Sequence, residues 1–394
     1  MKQSMIAQRF QTPEENLLMD IATIAKKTPN LIDLSIGDPD LITDQSIIAA
    51  AFTDVKNGHT KYTASDGSSD FIQAVVDFYQ NHYGLTFAND QVRASVGALH
   101  GMYLALCAIL DPGDEVIIHE PYFSPYKQQV EMAGGSPVFI PTFEKDGFQI
   151  AIDVLKAAIT DKTKAIIINS PNNPTGAVFS PTTFKAIAEV AEENDLLILS
   201  DEVYEAFCFM EEFVPMATFA PERTITFSSF SKAFAMTGWR IGYMIAPLSI
   251  NQTAKLINES IAYSAPTPSQ RAGIYALNHY DELVPAVVET FKKRLSYIQQ
   301  RVATIPFLSL SPVKGSMYAF INIEKTGLDS VTFVEKLLKD TSVLMIPGKA
   351  FGETTGDHYV RLAATQSMPM LKEAFDRIEQ FTFLINKKIP LQLE

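Results

Sequence analysis

A chain of 394 residues with 47% hydrophobic and 20% charged residues folds, and it is too long for one hydrophobic core. Its net charge of −13 argues against an extended nucleic-acid interface, so an anionic ligand must meet a local cluster of cations. The opening "MKQSMIAQRFQTPEEN" lacks the apolar core of a secretory signal, and no run approaches the ~20 apolar residues of a membrane span; the expectation is a soluble, cytoplasmic protein.

The first forty residues are mixed in character and end in the loop "LSIGDPD" (34–40). Cys107 lies in an apolar stretch, as does Cys208 further on. Both are expected as buried free thiols of a reducing compartment, and the six scattered histidines predict no metal site. "DEVIIHEP" (114–121) predicts a strand entered through the turn "DPGD". "TKAIIINS" (163–170), "DLLILSDE" (195–202) and "RTITFSSF" (223–230) are further short, β-branched strand runs. Between the first two of these, "SPTTFKAIAEVAEEND" (180–195) has a Ser–Pro start and Phe184, Ile187, Ala188, Val190 and Ala191 at helical spacing. Apolar strands alternating with helices predict an α/β fold, a mostly parallel sheet sandwiched by helices. From about residue 282 the pattern changes. "DELVPAVVETFKKRLSYIQQRVA" (281–303) predicts a long helix despite Pro285. Strand patterns at "SMYAFINI" (316–323), "VLMIPG" (343–348) and "HYVRLAAT" (358–365) then mix with helices near 331–340 and 368–385, which predicts a smaller α+β domain.

Three strand runs are each followed by a polar residue: Asn173 in "NSPNNPTG", Asp201 after "LLILS", and Lys232 after "ITFSSFS". The spacings of 28 and 31 residues are about one βαβ repeat each. Ligands of parallel α/β sheets sit beyond the carboxyl ends of the strands, so these three groups can converge. Each alone is ordinary, as a helix cap, a turn residue or a solvated lysine. Together they match one chemistry. A lysine forms a Schiff base with an aldehyde, and pyridoxal phosphate brings an aldehyde, a pyridine nitrogen and a phosphate. Asp201 would keep the pyridine nitrogen protonated. Ser229 and Arg240 would meet the phosphate, and Asn173 and Tyr204 the phenolic oxygen.

The segment "SSFSKAFAMTGWRIGY" (228–243) resembles the cofactor-lysine signature of the class I aminotransferases among fold-type I pyridoxal-phosphate enzymes. "NSPNNPTG" and "SDEVYEAF" resemble that family's two other cofactor segments, and the likeness covers nearly the whole chain. The resemblance implies an amino-terminal segment (1–45) joined to a small domain (282–394), both set against a large cofactor-binding domain (46–281). It implies phosphate-binding N–H groups at Gly97, Ala98 and Leu99 of "SVGALHG", and Phe123 stacking on the pyridine where many relatives carry tryptophan. It gives Tyr62 the phosphate of a neighbouring subunit, hence a homodimer with shared sites. Arg361 of "YVRLAAT" would grip the substrate carboxylate, with Gly37 of "SIGDPD" offering backbone beside it. Lys232, Asp201 and Tyr204 become the catalytic set. Arg361, Gly37, Ile36 and Asn173 become the substrate-binding set, with Lys232 first an anchor and then a base in a ping-pong exchange.

The bland readings stand beside these. Tyr62 could be a surface tyrosine, Phe123 plain core, and Arg361 the partner of a structural acid, while Trp239 packs beside Arg240 and His100 has no assigned role. "NESIAYSAPTPSQ" (258–270) has no Arg or Lys where dicarboxylate-specific relatives place a cation, and the aliphatic and aromatic Ile36, Phe123 and Tyr263 permit a neutral or aromatic substrate side chain. The expected substrates are therefore a broad amino donor and a 2-oxo acid, 2-oxoglutarate first. A carbon–sulfur β-lyase would use the same residues, and a non-catalytic cofactor-binding regulator is the remaining alternative; no helix-turn-helix precedes the core to support it.

Overall fold

The computed structural model describes residues 27–387, together with Met5 and Thr23. The rest of segment 1–45, before residue 27, lies outside the described residues. Strand β1 (Ile32–Asp33) leads to helices α1 (Gln45–Lys56) and α2 (Ser69–Tyr83), strand β2 (Val92–Ser95) and helix α3 (Gly97–Ile109). Then come β3 (Glu115–Glu120), α4 (Pro125–Met132), β4 (Ser136–Pro141), α5 (Ile152–Ala158), β5 (Thr163–Asn169), α6 (Pro181–Glu193) and β6 (Leu197–Asp201). β7 (Thr224–Ser229), the one-turn α7 (Phe230–Ala233), β8 (Gly242–Ile245), α8 (Leu248–Ile261) and α9 (Thr267–Asn278) lead to α10 (Tyr280–Thr304). The carboxyl-terminal part holds β9 (Tyr318–Asn322), α11 (Ser330–Thr341), β10 (Val343–Leu344), β11 (Ile346–Pro347), β12 (Tyr359–Ala363) and α12 (Met368–Lys387).

Local chemistry places these elements. Ser180 caps α6 by accepting the Thr183 N–H at 3.0 Å, and Pro181 fills the first helical position, where no N–H is needed. Gly84, at φ 67°, ends α2 in the left-handed conformation that a Cβ disfavours. α10 continues through Pro285, whose ring forgoes one backbone bond. Its buried stripe of Val284, Phe291, Leu295, Ile298 and Val302 outweighs that loss.

The seven-stranded sheet runs β2-β8-β7-β6-β5-β3-β4, and only β8 is antiparallel to its neighbours. Both faces are covered. Ile167, Leu199 and Ile225 pack with Leu104, Leu106 and Ala254 from α3 and α8, while Ile166, Ile168 and Ile198 pack with Phe184 and Ile187 of α6. Burying such a side chain contributes roughly 1.5–3 kcal/mol, which explains strands apolar on consecutive residues. β5, β6 and β7 are adjacent and parallel, with Asn169 paired to Asp201, so their carboxyl ends stand side by side.

The chain ends meet. β1 pairs in parallel with β10, and β11-β12-β9 form an antiparallel sheet packed against α10, α11 and α12. The run "VLMIPG" reads as one strand in sequence but is two: β10 serves β1, and β11 serves β12. Cys107 and Cys208 are free thiols, yet both are half-buried rather than buried as expected, since an apolar stretch in a helix or turn still leaves one side away from the core. Among the described residues no helix is long and apolar enough to cross a membrane.

Glu205, in the turn after β6, ties α2 to α10. It accepts the hydroxyl protons of Tyr83 at 3.1 Å and Tyr280 at 2.9 Å, and burial pushes its carboxyl up to about 7. A carboxyl held more tightly protonated in the folded state stabilises at low pH and loses that contribution as pH rises. The loss runs from the ordinary value of 4.5 to about 7 and is on the order of 3 kcal/mol. Glu205→Gln keeps acceptors for both hydroxyls and does not titrate. Its thermal midpoint is expected to fall less than the parent's between about pH 5 and pH 8, and parallel midpoint curves for the two proteins would overturn this.

Candidate active site

The sharp strand-to-helix turn at the end of β7 sets Lys232. Ser229 ends the strand and caps α7 by accepting the Ser231 N–H at 3.2 Å, while its own hydroxyl donates to Ser231 Oγ at 2.8 Å. Lys232 lies one step further, in α7, and its Nζ donates to the Gly37 carbonyl. The chain then returns through Arg240, at φ 52°, to the antiparallel strand β8. A Cβ on Gly242 would lie 2.6 Å from the Ser228 carbonyl oxygen and 3.0 Å from the Ala98 nitrogen, so only glycine lets β8 approach the start of α3. A Cβ on Gly97 would lie 2.5 Å from Arg240 Nη2. The guanidinium is therefore pressed against the amino end of a 13-residue helix whose first turn has no side-chain cap. A cation, a hydroxyl and uncapped N–H groups at one spot are the donors a phosphate dianion needs.

Asp201 ends β6 and is 8% exposed. Tyr126 donates to its Oδ2 at 2.5 Å, and the Val203 N–H to Oδ1 at 3.2 Å. Burial pushes the carboxyl up to about 6, and the Tyr126 hydroxyl, the Val203 N–H and the Lys232 ammonium oppose that rise. Such a carboxylate suits a protonated ring nitrogen, whose charge would offset the cost of burial.

Asn173 is positioned by a neighbour. Asn169 accepts the Asn173 N–H on its Oδ1 at 2.8 Å and donates from Nδ2 to the Asp201 carbonyl at 3.0 Å. Its own N–H donates to His119 Nε2 at 3.3 Å, and burial pushes that imidazole down to about 4, so it stays a neutral acceptor. Arg361, on β12, comes from the other sheet. Its guanidinium donates to Asn173 Oδ1 at 3.0 Å and to the Ser35 carbonyl, and among the described residues it meets no carboxylate, so no structural acid is seen there. It lies 4.6 Å from the ring centres of both Tyr318 and Phe351, and its buried Nε has no partner.

Asn169, Asn173, Asp201, Ser229, Lys232, Arg240 and Arg361 border one cavity of about 390 Å³, together with Ser35, Ile36, Gly37, Ala98, Leu99, Phe123, Tyr126, Tyr204 and Tyr318, whereas Gly97 is not part of its lining. Its cations, among the described residues, are Lys232, Arg240 and Arg361. Loop 35–38 is tied across it by the Thr365 hydroxyl on the Ile36 carbonyl (2.8 Å) and the Thr237 hydroxyl on Asp38 (2.7 Å). Arg294 of α10 grips Asp40 just beyond, with bonds of 2.7 and 3.0 Å. Phe123 borders the cavity with its ring edge-on to Tyr126, 5.6 Å between centres.

Tyr62 does not join this cavity. It is 84% exposed and packs edge-on against Tyr263, 5.0 Å between centres, so Tyr263 too stands away from the substrate space within this chain. His100 does not border the cavity either; its Nδ1 accepts the Val96 N–H at 3.1 Å. Trp239 packs against Phe52 and donates to the Thr43 hydroxyl at 3.1 Å. Among the described residues no cluster of acids, histidines and cysteines could hold a metal ion.

Reading the sequence missed three residues of this site. Asn169 stands in the quoted "NSPNNPTG", and its place at a strand end was a usable signal. Tyr126 stands one helical turn after Phe123 in "EPYFSPY". Tyr318 carries no local signal, since only strand pairing brings it beside Arg361.

The family described as "Aminotransferase class I and II" matches residues 29–378. The aspartate aminotransferase of Pyrococcus horikoshii is 37% identical over 95% of this chain and 96% of its own length. Aromatic-amino-acid aminotransferase 2 of Thermococcus litoralis is 35% identical over 95% of this chain and 97% of its own. The solved structure of Thermus thermophilus aspartate aminotransferase with maleate has a TM-score of 0.91 at 30% identity, covering 96% of this chain and 100% of that one. With that family matched across most of the chain and relatives of this kind aligned nearly end to end, the protein belongs to the class I and II aminotransferases and is a pyridoxal-phosphate-dependent transaminase.

Proposed function

We propose that the protein moves the amino group of a broad range of neutral or aromatic L-amino acids to a 2-oxo acid, 2-oxoglutarate first, in two half-reactions at one site. The observation that carries this reading is the count of cations on the cavity wall. Lys232, Arg240 and Arg361 each have a task, and no fourth cation borders the cavity among the described residues to meet a side-chain carboxylate. Ile36, Leu99 and Phe123 border the same space and suit an apolar side chain. The acceptor rests on the family resemblance alone.

Pyridoxal phosphate supplies an aldehyde that condenses with amines and a ring that withdraws electrons from the bonds at the substrate Cα. The chain's residues do the rest. Arg240, Ser229 and the N–H groups of Gly97, Ala98 and Leu99 hold the phosphate. Asp201 holds the ring nitrogen's proton in a water-poor place. Asn173 and Tyr204 donate to the phenolic oxygen, and Phe123 covers the ring. Arg361 orients the substrate through its α-carboxylate, as a planar fork does and a lysine does not. Gly37 offers backbone beside that carboxylate. Lys232 anchors the cofactor and then moves the proton at Cα. We also propose that residues 1–45 and 282–394 act as one small domain against 46–281. The protein works in the cytoplasm as a homodimer in which the exposed Tyr62 reaches the partner's phosphate.

Mixing the cofactor-loaded protein with one amino acid at a time, without acceptor, is expected to release one 2-oxo acid per site from neutral and aromatic donors. Release from aspartate alone overturns the donor assignment, and continuous release of pyruvate and ammonia from a cysteine derivative favours a lyase. Lys232→Ala is expected to retain the cofactor on dialysis less well than the parent and to lose at least about 1,000-fold in turnover. Parental turnover in that variant would sink the role of Lys232. Tyr62→Phe is expected to leave the dimer seen by sedimentation intact and to weaken cofactor binding by about tenfold, the worth of one charge-assisted hydrogen bond. A monomeric parent protein contradicts the shared site.

A further inference from the structure

Tyr318 has three neighbours in the site and no role so far. It opens β9, opposite Ala363 of β12, so Arg361 lies two residues away on the same face of the ladder. That diagonal lays the guanidinium 4.6 Å from the Tyr318 ring centre, with Phe351 at the same distance. The planar cation is held between two rings, and only its edge is left to bond. The Tyr318 hydroxyl lies 3.0 Å from the Tyr204 hydroxyl, and both residues are buried, at 2% and 6% exposure. A Cβ on Gly37 would lie 2.0 Å from the Tyr318 oxygen, so loop 35–38 rests directly on this hydroxyl.

We propose that Tyr318 is a positioning residue joining two parts of the site: its ring seats the Arg361 clamp, and its hydroxyl orients the Tyr204 proton toward the cofactor's phenolic oxygen. This rests on the functional reading above. Two hydroxyls in contact share one proton between them, so one must donate and the other accept. If Tyr204 spends its proton on the phenolic oxygen, Tyr318 is the donor of the pair. Donation to Tyr204 strengthens the bond that Tyr204 makes onward. A donor at the phenolic oxygen competes for electron density with the proton on the lysine-linked nitrogen, so weakening that donor keeps the proton on to higher pH.

The test is the pH titration of the bound cofactor's visible absorbance in the parent, Tyr318→Phe, Tyr204→Phe and the double variant. Tyr318→Phe keeps the ring under Arg361 and loses only the hydroxyl. Its midpoint is expected to rise by about half to one pH unit, with the amino donor's KM within about threefold of the parent's. The double variant is expected to match Tyr204→Phe, since the effect passes through Tyr204. Tyr318→Leu removes the ring as well and is expected to raise KM by about tenfold. An unmoved midpoint in Tyr318→Phe, or shifts that add in the double variant, overturns the relay. An unchanged KM in Tyr318→Leu overturns the clamp. A parent protein that takes up no coloured cofactor overturns the functional reading and this inference with it, and is recognised before any variant is made.

Discussion

The side-by-side register of three parallel strands is the constraint on which the rest depends. Asn169 at the end of β5 pairs with Asp201 at the end of β6, and β7 on the far side of β6 delivers Ser229 and Lys232. A slip of one residue in any of these strands would turn its side chains to the opposite face. The continuous apolar faces of β5 and β6 prevent that slip only because helices bury both sides. The sheet core thus sets the geometry of groups that take no part in it.

Burial then gives those groups their chemistry. A carboxylate as enclosed as Asp201 is costly, and two donors offset only part of that cost. The remaining demand for positive charge is what a protonated heterocycle meets. Arg361 shows the same logic in the other sign. It is buried with carbonyl and amide partners, held between two rings, and left with edge capacity for a carboxylate. Stability is spent at both ends of the site so that ligand charge completes it.

The two halves of the site come from different sheets. The long sheet brings Asp201, Lys232 and the phosphate end, and the small antiparallel sheet brings Arg361 and Tyr318. Loop 35–38 bridges them, tied to β12 through Arg361, to Thr365 two residues beyond that strand, and to the α7 side through Lys232 and Thr237. Arg294 of α10 holds Asp40 two residues beyond that loop, so this stretch of chain is fixed to both sheets and to α10 at once.

The sequence by itself determined where β3, β5, β6, β7 and α6 of the large sheet lie, and that Asn173, Asp201 and Lys232 follow three of those strands, whereas β2, β4, β8 and the other helices around the sheet were not legible in it. Such information is local: a β-branched run, a Ser–Pro cap, or a polar residue one repeat beyond the last. It also carried the long helix through Pro285, because the apolar stripe is readable along one segment. Tertiary structure alone decided that "VLMIPG" divides between two sheets, that Tyr126 supports Asp201 from 75 residues away, and that Tyr318 meets Tyr204 from 114 away. It also decided that Tyr62 faces outward and that the two thiols are only half-buried. The physical reason is the same in each case. A side chain's partner across a sheet or a domain boundary is set by the packing of whole elements, and no period in the residues around it records that choice.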